Sequence, residues 1–176
     1  PALAGFAAGA PHAPHLYTGM PSSLHRAPGI IGAALDSGAS VELICDGLHI
    51  HPAVIRATYK MFGDKLNLIS DSLRCAGMPD GDYELGGQPI TMKNGKATLT
   101  GTDTLAGSSI SMLDALRNVV KFGMPLEAAV YAASTAPAQA AGLSDIGAIE
   151  AGRAADLLVL DKDLNLKAVF INGEKL

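Results

Sequence analysis

An α/β fold on a parallel sheet, with the strand-end chemistry of a β/α barrel, is what this sequence predicts. Three observations point there. Helix-like and strand-like segments alternate from Ala2 to Asp71, which is the βαβ rhythm of a parallel sheet. The strand-like segments are short, largely apolar runs, such as the one from Lys65 to Asp71, and such runs suit strands buried on both faces. Each run carries a polar side chain at or just past its carboxyl end: His15, His49 and Asp71. A barrel gathers its catalytic residues on that common face. A lone strand-end Asp is also a frequent turn or cap residue, and a lone His is often structural. It is the succession of three that points to a site.

Bulk properties narrow the function classes. The chain has 176 residues, 48% of them hydrophobic, and that composition builds a core. A net charge of -4 offers no basic footprint for nucleic acid. No apolar run reaches the roughly 18 residues that a spanning helix needs, so no membrane partner is expected. The two cysteines, Cys45 and Cys75, lack CxxC spacing, and a reducing, cytoplasmic setting is the expectation. The chain opens on Pro1 and runs at once into helical sequence, so it reads as a piece of a longer protein.

In chain order, Leu3 and Phe6 mark a short amphipathic helix over 2–8, with Gly9 as its stop. His12 and His15 follow. On a strand their spacing sends them to opposite faces, so they are not expected to share a metal. The Pro- and Ser-rich loop 21–29 holds Arg26, whose planar fork suits a phosphate or carboxylate; a solvated surface Arg is the commoner alternative. A short helix over 30–35 leads to a strand over 40–45. His51-Pro52 opens a helix to Phe62, with Val54, Ile55, Tyr59 and Phe62 at helical spacing.

From Ser72 to Asp103 Gly and Pro punctuate short segments, and Asn94-Gly95 is a two-residue hairpin signal, so a β-hairpin insertion near 80–100 is expected. The small residues Leu105, Ala106, Gly107, Ser108 and Ser109 then read as the lead into a helix. Their amides could face an anion, or Ser108 or Ser109 could simply cap the helix. Helices are expected over 112–120, 125–133 and 135–141. The remainder, with strands over 155–160 and 164–171 and an Asn172-Gly173 turn, forms a β unit too small to bury a core alone. The expected division is 1–142 and 143–176.

Five stretches carry a family resemblance. PHAPHLYTGM resembles a THxTHLFNAM segment, CDGLHIHP a DGxH segment, and LISDSLRCAGMPDGDYELGG a segment holding a catalytic Asp. LTGTDTLAGSSISMLDALRNVV resembles an LAGSS helix start, and GAIEAGRAADLLVLDKDL a widely shared tail. Together they resemble the carboxyl-terminal half of the N-acetylglucosamine-6-phosphate deacetylase family, in the amidohydrolase superfamily.

The resemblance implies the last three strands of a (β/α)8 TIM-like barrel plus part of a small β-sandwich. It implies His15 as a ligand of a divalent metal, Zn being expected, with a Glu and another His supplied upstream. It implies Asp71 as the catalytic acid–base and His49 as a substrate contact. Arg26 would bind the sugar phosphate across a homodimer, and Thr18, Gly19, Leu105, Ala106 and Gly107 would line the substrate. Thr18 and Gly19 stand where the family usually has Asn and Ala, a departure that points to altered substrate preference. The implied reaction is removal of acetate from N-acetylglucosamine-6-phosphate. The alternatives are a related amidohydrolase of another acylamino sugar, and a non-catalytic half-barrel that binds or dimerises.

Overall fold

The computed structural model describes residues 1–176. The first part is α1 (Ala2–Ala7), β1 (His12–Ala13), α2 (Gly29–Ser37), β2 (Ser40–Ile44), α3 (Pro52–Phe62) and β3 (Leu66–Ile69). The strands form one parallel sheet in the order β1-β2-β3. α3 shows why these boundaries fall where they do. Pro52 needs no amide partner at the first position, and the His51 ring accepts the Ala53 amide at 3.2 Å. Ile55, Thr58 and Phe62 then turn inward at helical spacing, and Gly63, at φ 51, ends the run.

β2 and β3 pair Val41 with Leu66 and Leu43 with Leu68. These four pack under helices with Ile31 of α2 and Ile55 of α3. α4 (Met112–Lys121) adds Ala115 and Val119, and α5 (Leu126–Ala133) adds Ala129 and Ala132. Each fully buried Leu or Ile there is worth roughly 1.5–3 kcal/mol.

The other face of the sheet departs from expectation. β3 is buried on both faces, yet its second face carries Asn67, level with Glu42, and His12 lies level with Ser40. Asn67 is tolerated because its Nδ2 donates to Ser40 Oγ at 2.7 Å and to the Val41 carbonyl at 3.1 Å. One face is thus apolar under helices, and the other mixes His12, Ser40, Glu42 and Asn67 with Ile44 and Ile69.

The insertion is a four-stranded antiparallel sheet: β4 (Gly81–Leu85), β5 (Gln88–Lys93), β6 (Lys96–Leu99) and β7 (Leu105–Gly107). Asn94 and Gly95, at φ 51 and 74, form the two-residue turn between β5 and β6. Cys75, Ile90, Met92 and Ala97 form a second small core beneath it. Two expectations are corrected here. Leu105 to Gly107 is a strand pairing with β6, not a helix lead-in. The cap of α4 is Ser111, not Ser108 or Ser109: its Oγ accepts the Asp114 amide at 3.2 Å, and Asp114 Oδ2 accepts the Ser111 amide at 3.0 Å. Pairing to β6 keeps the chain extended to Gly107, and the helix begins at Met112, where it is expected.

After α5 comes α6 (Thr135–Ala140). The tail is an antiparallel sheet, β10-β9-β8, of β8 (Leu157–Leu160), β9 (Leu166–Ile171) and β10 (Glu174–Lys175). β9 starts later than expected because Leu164 is left-handed, at φ 61, in a turn that Asp161 holds through the Asp163 and Asn165 amides. No helix is long and apolar enough to cross a membrane.

Candidate active site

Because the three strands are parallel, the segments that follow them leave from one edge of the sheet. His15 lies two residues past β1, Asp46 two past β2 with His49 on the same turn, and Asp71 two past β3. His15, His49 and Asp71 thus each follow a strand that ends on that edge. Two of them sit in left-handed backbone, His15 at φ 31 and Asp71 at φ 50, and Tyr17 lies beside them at φ 73. Such conformations cost on the order of 1–3 kcal/mol each and concentrate where a site demands them.

The His15 turn is closed at both ends. Its carbonyl accepts the Thr18 amide at 2.9 Å, and its Nδ1–H donates to the Thr18 carbonyl at 2.8 Å. That bond fixes the tautomer and leaves Nε2 as the free nitrogen. Gly19, at φ 68, lies against the ring, since a Cβ there would be 3.7 Å from His15 Cε1. β1 ends at Ala13, so strand periodicity reaches His12 but not His15. Glu42 contacts both residues in different ways: the His12 ring Nε2 lies 2.8 Å from Oε1, and the His15 backbone amide donates to Oε2 at 3.4 Å.

His49 is held differently. Its Nδ1 lies 2.7 Å from Asp46 Oδ2, and the two side chains are only 5% and 3% exposed. Asp46 Oδ1 accepts the amides of Leu48 and His49 at 2.8 and 2.9 Å. Burial works against the ionised carboxyl, but the bonds from the His49 ring and the two amides outweigh it. Asp46 therefore titrates below the usual carboxylate range. Sequence reasoning missed this partner, although the Asp-x-x-His spacing at a strand end was visible.

Asp71 projects an exposed carboxylate with no hydrogen-bond partner on its side chain, while its backbone is tied to β7 through Ser108. Gly107 is needed for that approach. Its φ is 141, and a Cβ there would fall 2.9 Å from Leu73 Cδ2 and 3.2 Å from the Asp71 carbonyl oxygen. Leu105 and Ala106 lie half-buried on the same strand. Arg26 stands apart, at the tip of an exposed two-residue turn closed by Leu24 and Ala27, and its side chain makes no hydrogen bond or ion pair.

This edge offers a free carboxylate, an imidazole braced by a buried carboxylate, and a second imidazole with one nitrogen free. Such a set can transfer a proton and bind an oxygen. His15 fits a metal as one ligand only. No group of three or more His, Cys, Asp or Glu in the chain is arranged to hold an ion. Two hollows lie away from the edge: one of about 370 Å³ by Ser40 and Lys65, where β2 and β3 begin, and an apolar one of about 630 Å³ between α4, α5 and β8.

Known proteins align closely with this arrangement. The sequence profile described as "Amidohydrolase family" matches residues 88–176. N-acetylglucosamine-6-phosphate deacetylase from Vibrio furnissii is 36% identical, across 97% of this chain and 43% of that one. N-acetylgalactosamine-6-phosphate deacetylase from Escherichia coli O157:H7 is 38% identical, across 97% of this chain and 46% of that one. Among solved structures, a variant of N-acetyl-D-glucosamine-6-phosphate deacetylase from Mycobacterium smegmatis, in complex with N-acetyl-D-glucosamine-6-phosphate, superposes with a TM-score of 0.94. It is 39% identical, and the match covers 99% of this chain and 47% of that one. The chain thus spans somewhat less than half the length of each of these three. With an α/β fold, a profile match over residues 88–176 and similarity along almost its whole length, the chain belongs to the amidohydrolase family.

Proposed function

We propose that the chain is the carboxyl-terminal half of a metal-dependent deacetylase that converts N-acetylglucosamine-6-phosphate to acetate and glucosamine-6-phosphate. The observation that carries this reading is the shared edge that holds His15, the Asp46–His49 pair and the free carboxylate of Asp71. On this reading β1, β2 and β3 are the last three strands of a (β/α)8 barrel within residues 1–142. Residues 143–176 then belong to a small β-sandwich.

The roles follow from the chemistry each group offers. His15 Nε2 would be one ligand of a divalent metal, Zn in the simplest case, with the other ligands coming from segments outside these 176 residues. The metal would supply Lewis acidity at the strand ends. Asp71, exposed and unpaired, takes the proton of the attacking water and passes it to the leaving amine. His49 holds the acetamide oxygen as negative charge develops. Thr18 and Gly19 beside His15, and Leu105, Ala106 and Gly107 beside Asp71, line the sugar. Arg26, with no partner of its own, pairs the phosphate of a substrate in a neighbouring subunit of a homodimer. The setting on this reading is cytoplasmic.

A second reading changes the sugar. The relative named for N-acetylgalactosamine-6-phosphate is as similar to this chain as those named for the glucosamine epimer, and Thr18 and Gly19 sit next to the ligand His15. The test is acetate release by the complete polypeptide that carries these residues, with both epimers, phosphorylated and not. Asp71→Asn should lower the rate by roughly 10²–10⁴-fold. Full activity in that variant would remove Asp71 from the reaction. Faster turnover of the galactosamine epimer would select the second reading.

A further inference from the structure

We infer that Asp46 is the positioning residue for His49: it keeps the ring proton on Nδ1, so that Nε2 is the nitrogen that meets substrate. That His49 meets substrate rests on the deacetylase reading. How the ring is held rests on geometry alone.

Asp46 leaves β2 and folds back at once, its Oδ1 taken by the amides of Leu48 and His49 at 2.8 and 2.9 Å. Those two bonds aim the remaining oxygen, and Oδ2 meets His49 Nδ1 at 2.7 Å. An ionised carboxylate can only accept, so Nδ1 must donate. With side chains 5% and 3% exposed, little water competes for either group. The turn is also anchored from outside, since Asn118 Nδ2 of α4 donates to the Cys45 carbonyl at 3.0 Å. Nε2 has no hydrogen-bond partner within the chain. In the neutral ring it is an acceptor, and in the protonated ring it becomes a donor, so every change of charge on His49 occurs at that atom.

Asp46→Asn makes a specific inversion. The amide oxygen can still accept from Leu48 and His49, which leaves the NH₂ facing Nδ1. Nδ1 must then accept, and the proton of the neutral ring moves to Nε2.

The test is ¹⁵N NMR of the full chain with labelled histidine, at a pH where the ring is neutral. The expected wild-type spectrum has a protonated Nδ1 and an unprotonated Nε2 for His49, and Asp46→Asn exchanges the two. In the complete polypeptide the same variant should lose roughly 10–100-fold in kcat/KM, as for groups that orient a ligand-contacting imidazole. A wild-type ring protonated on Nε2 overturns the inference, and that spectrum suffices if the variant does not fold. An unchanged tautomer in a folded Asp46→Asn protein also overturns it. If the tautomers behave as expected but no acylamino sugar phosphate is hydrolysed, the Asp46–His49 geometry stands and the deacetylase reading falls.

Discussion

The amide of Ser108 donates to the carbonyl oxygen of Asp71 at 2.8 Å, and the Leu73 amide returns a bond of 2.9 Å to the Ser108 carbonyl. This pair of bonds joins the end of β7 to the segment that carries the exposed carboxylate. Asp71 is thereby held in left-handed backbone from outside its own strand.

The clamp makes Gly107 sensitive. An added methyl group would collide with Leu73 Cδ2 and press on the Asp71 carbonyl, in a conformation at φ 141 that side chains avoid. Gly107→Ala should cost about 1–3 kcal/mol in denaturant unfolding. On the deacetylase reading, it should lower the activity of the complete polypeptide by more than that loss explains, because Asp71 shifts with the strand. A variant as stable as the parent would show that the approach has slack.

Acid should destabilise the fold through Asp46. Its pKa lies below the ordinary value of 3.8, despite burial, because the His49 ring and two amides bond the ionised form. A carboxyl lowered in the folded state contributes stability that is present above its unfolded pKa, about 3.9, and is lost as pH falls through the folded value. Unfolding free energy should therefore drop below pH 4, and Asp46→Asn should flatten part of that slope. Asp114, also lowered, first by its bond from Ser111, should add to the same loss.

Ser111→Ala should weaken the start of α4. The serine accepts the Asp114 amide, and Asp114 returns the bond to the Ser111 amide, so the substitution leaves a helix end open. The expected loss is about 1 kcal/mol, read as a shift in the unfolding midpoint. Ser109→Ala should cost less at that helix, since Ser109 Oγ bonds the Gly95 carbonyl rather than any α4 amide.

Arg26→Ala separates binding from stability. The side chain is exposed and unpaired, so unfolding should move by no more than about 0.5 kcal/mol. On the deacetylase reading, KM for a phosphorylated substrate should rise while that for its unphosphorylated analogue stays put. An equal change for both would deny the phosphate role.

The sequence was most legible where one local rule governs. Pro52 and Gly63 bound α3 as read, and Asn94-Gly95 turns the hairpin as read. It was least legible where a distant pairing decides. Leu105 to Gly107 has no periodicity of its own, and only β6 makes it a strand. The site divides the same way. His15, His49 and Asp71 were visible as strand-end residues, whereas Glu42 and Asp46 act through contacts that a strand pattern does not encode. The opposed-face reading of His12 and His15 carried strand geometry past Ala13, where β1 ends.

The clamp on Asp71 has a consequence for folding order. The Ser108 hydroxyl also bonds the Ser70 carbonyl, closing a span of 38 positions that contains the whole of β4 to β7. Loop-closure entropy must be met before such a contact forms, whereas β2 and β3 need only the short α3 crossover. The parallel strands can therefore dock early, with the carboxylate still unplaced. During refolding, the signal from the helix-packed core should recover first. The fixed backbone at Asp71 should return in a later phase, timed by the zipping of the antiparallel insertion.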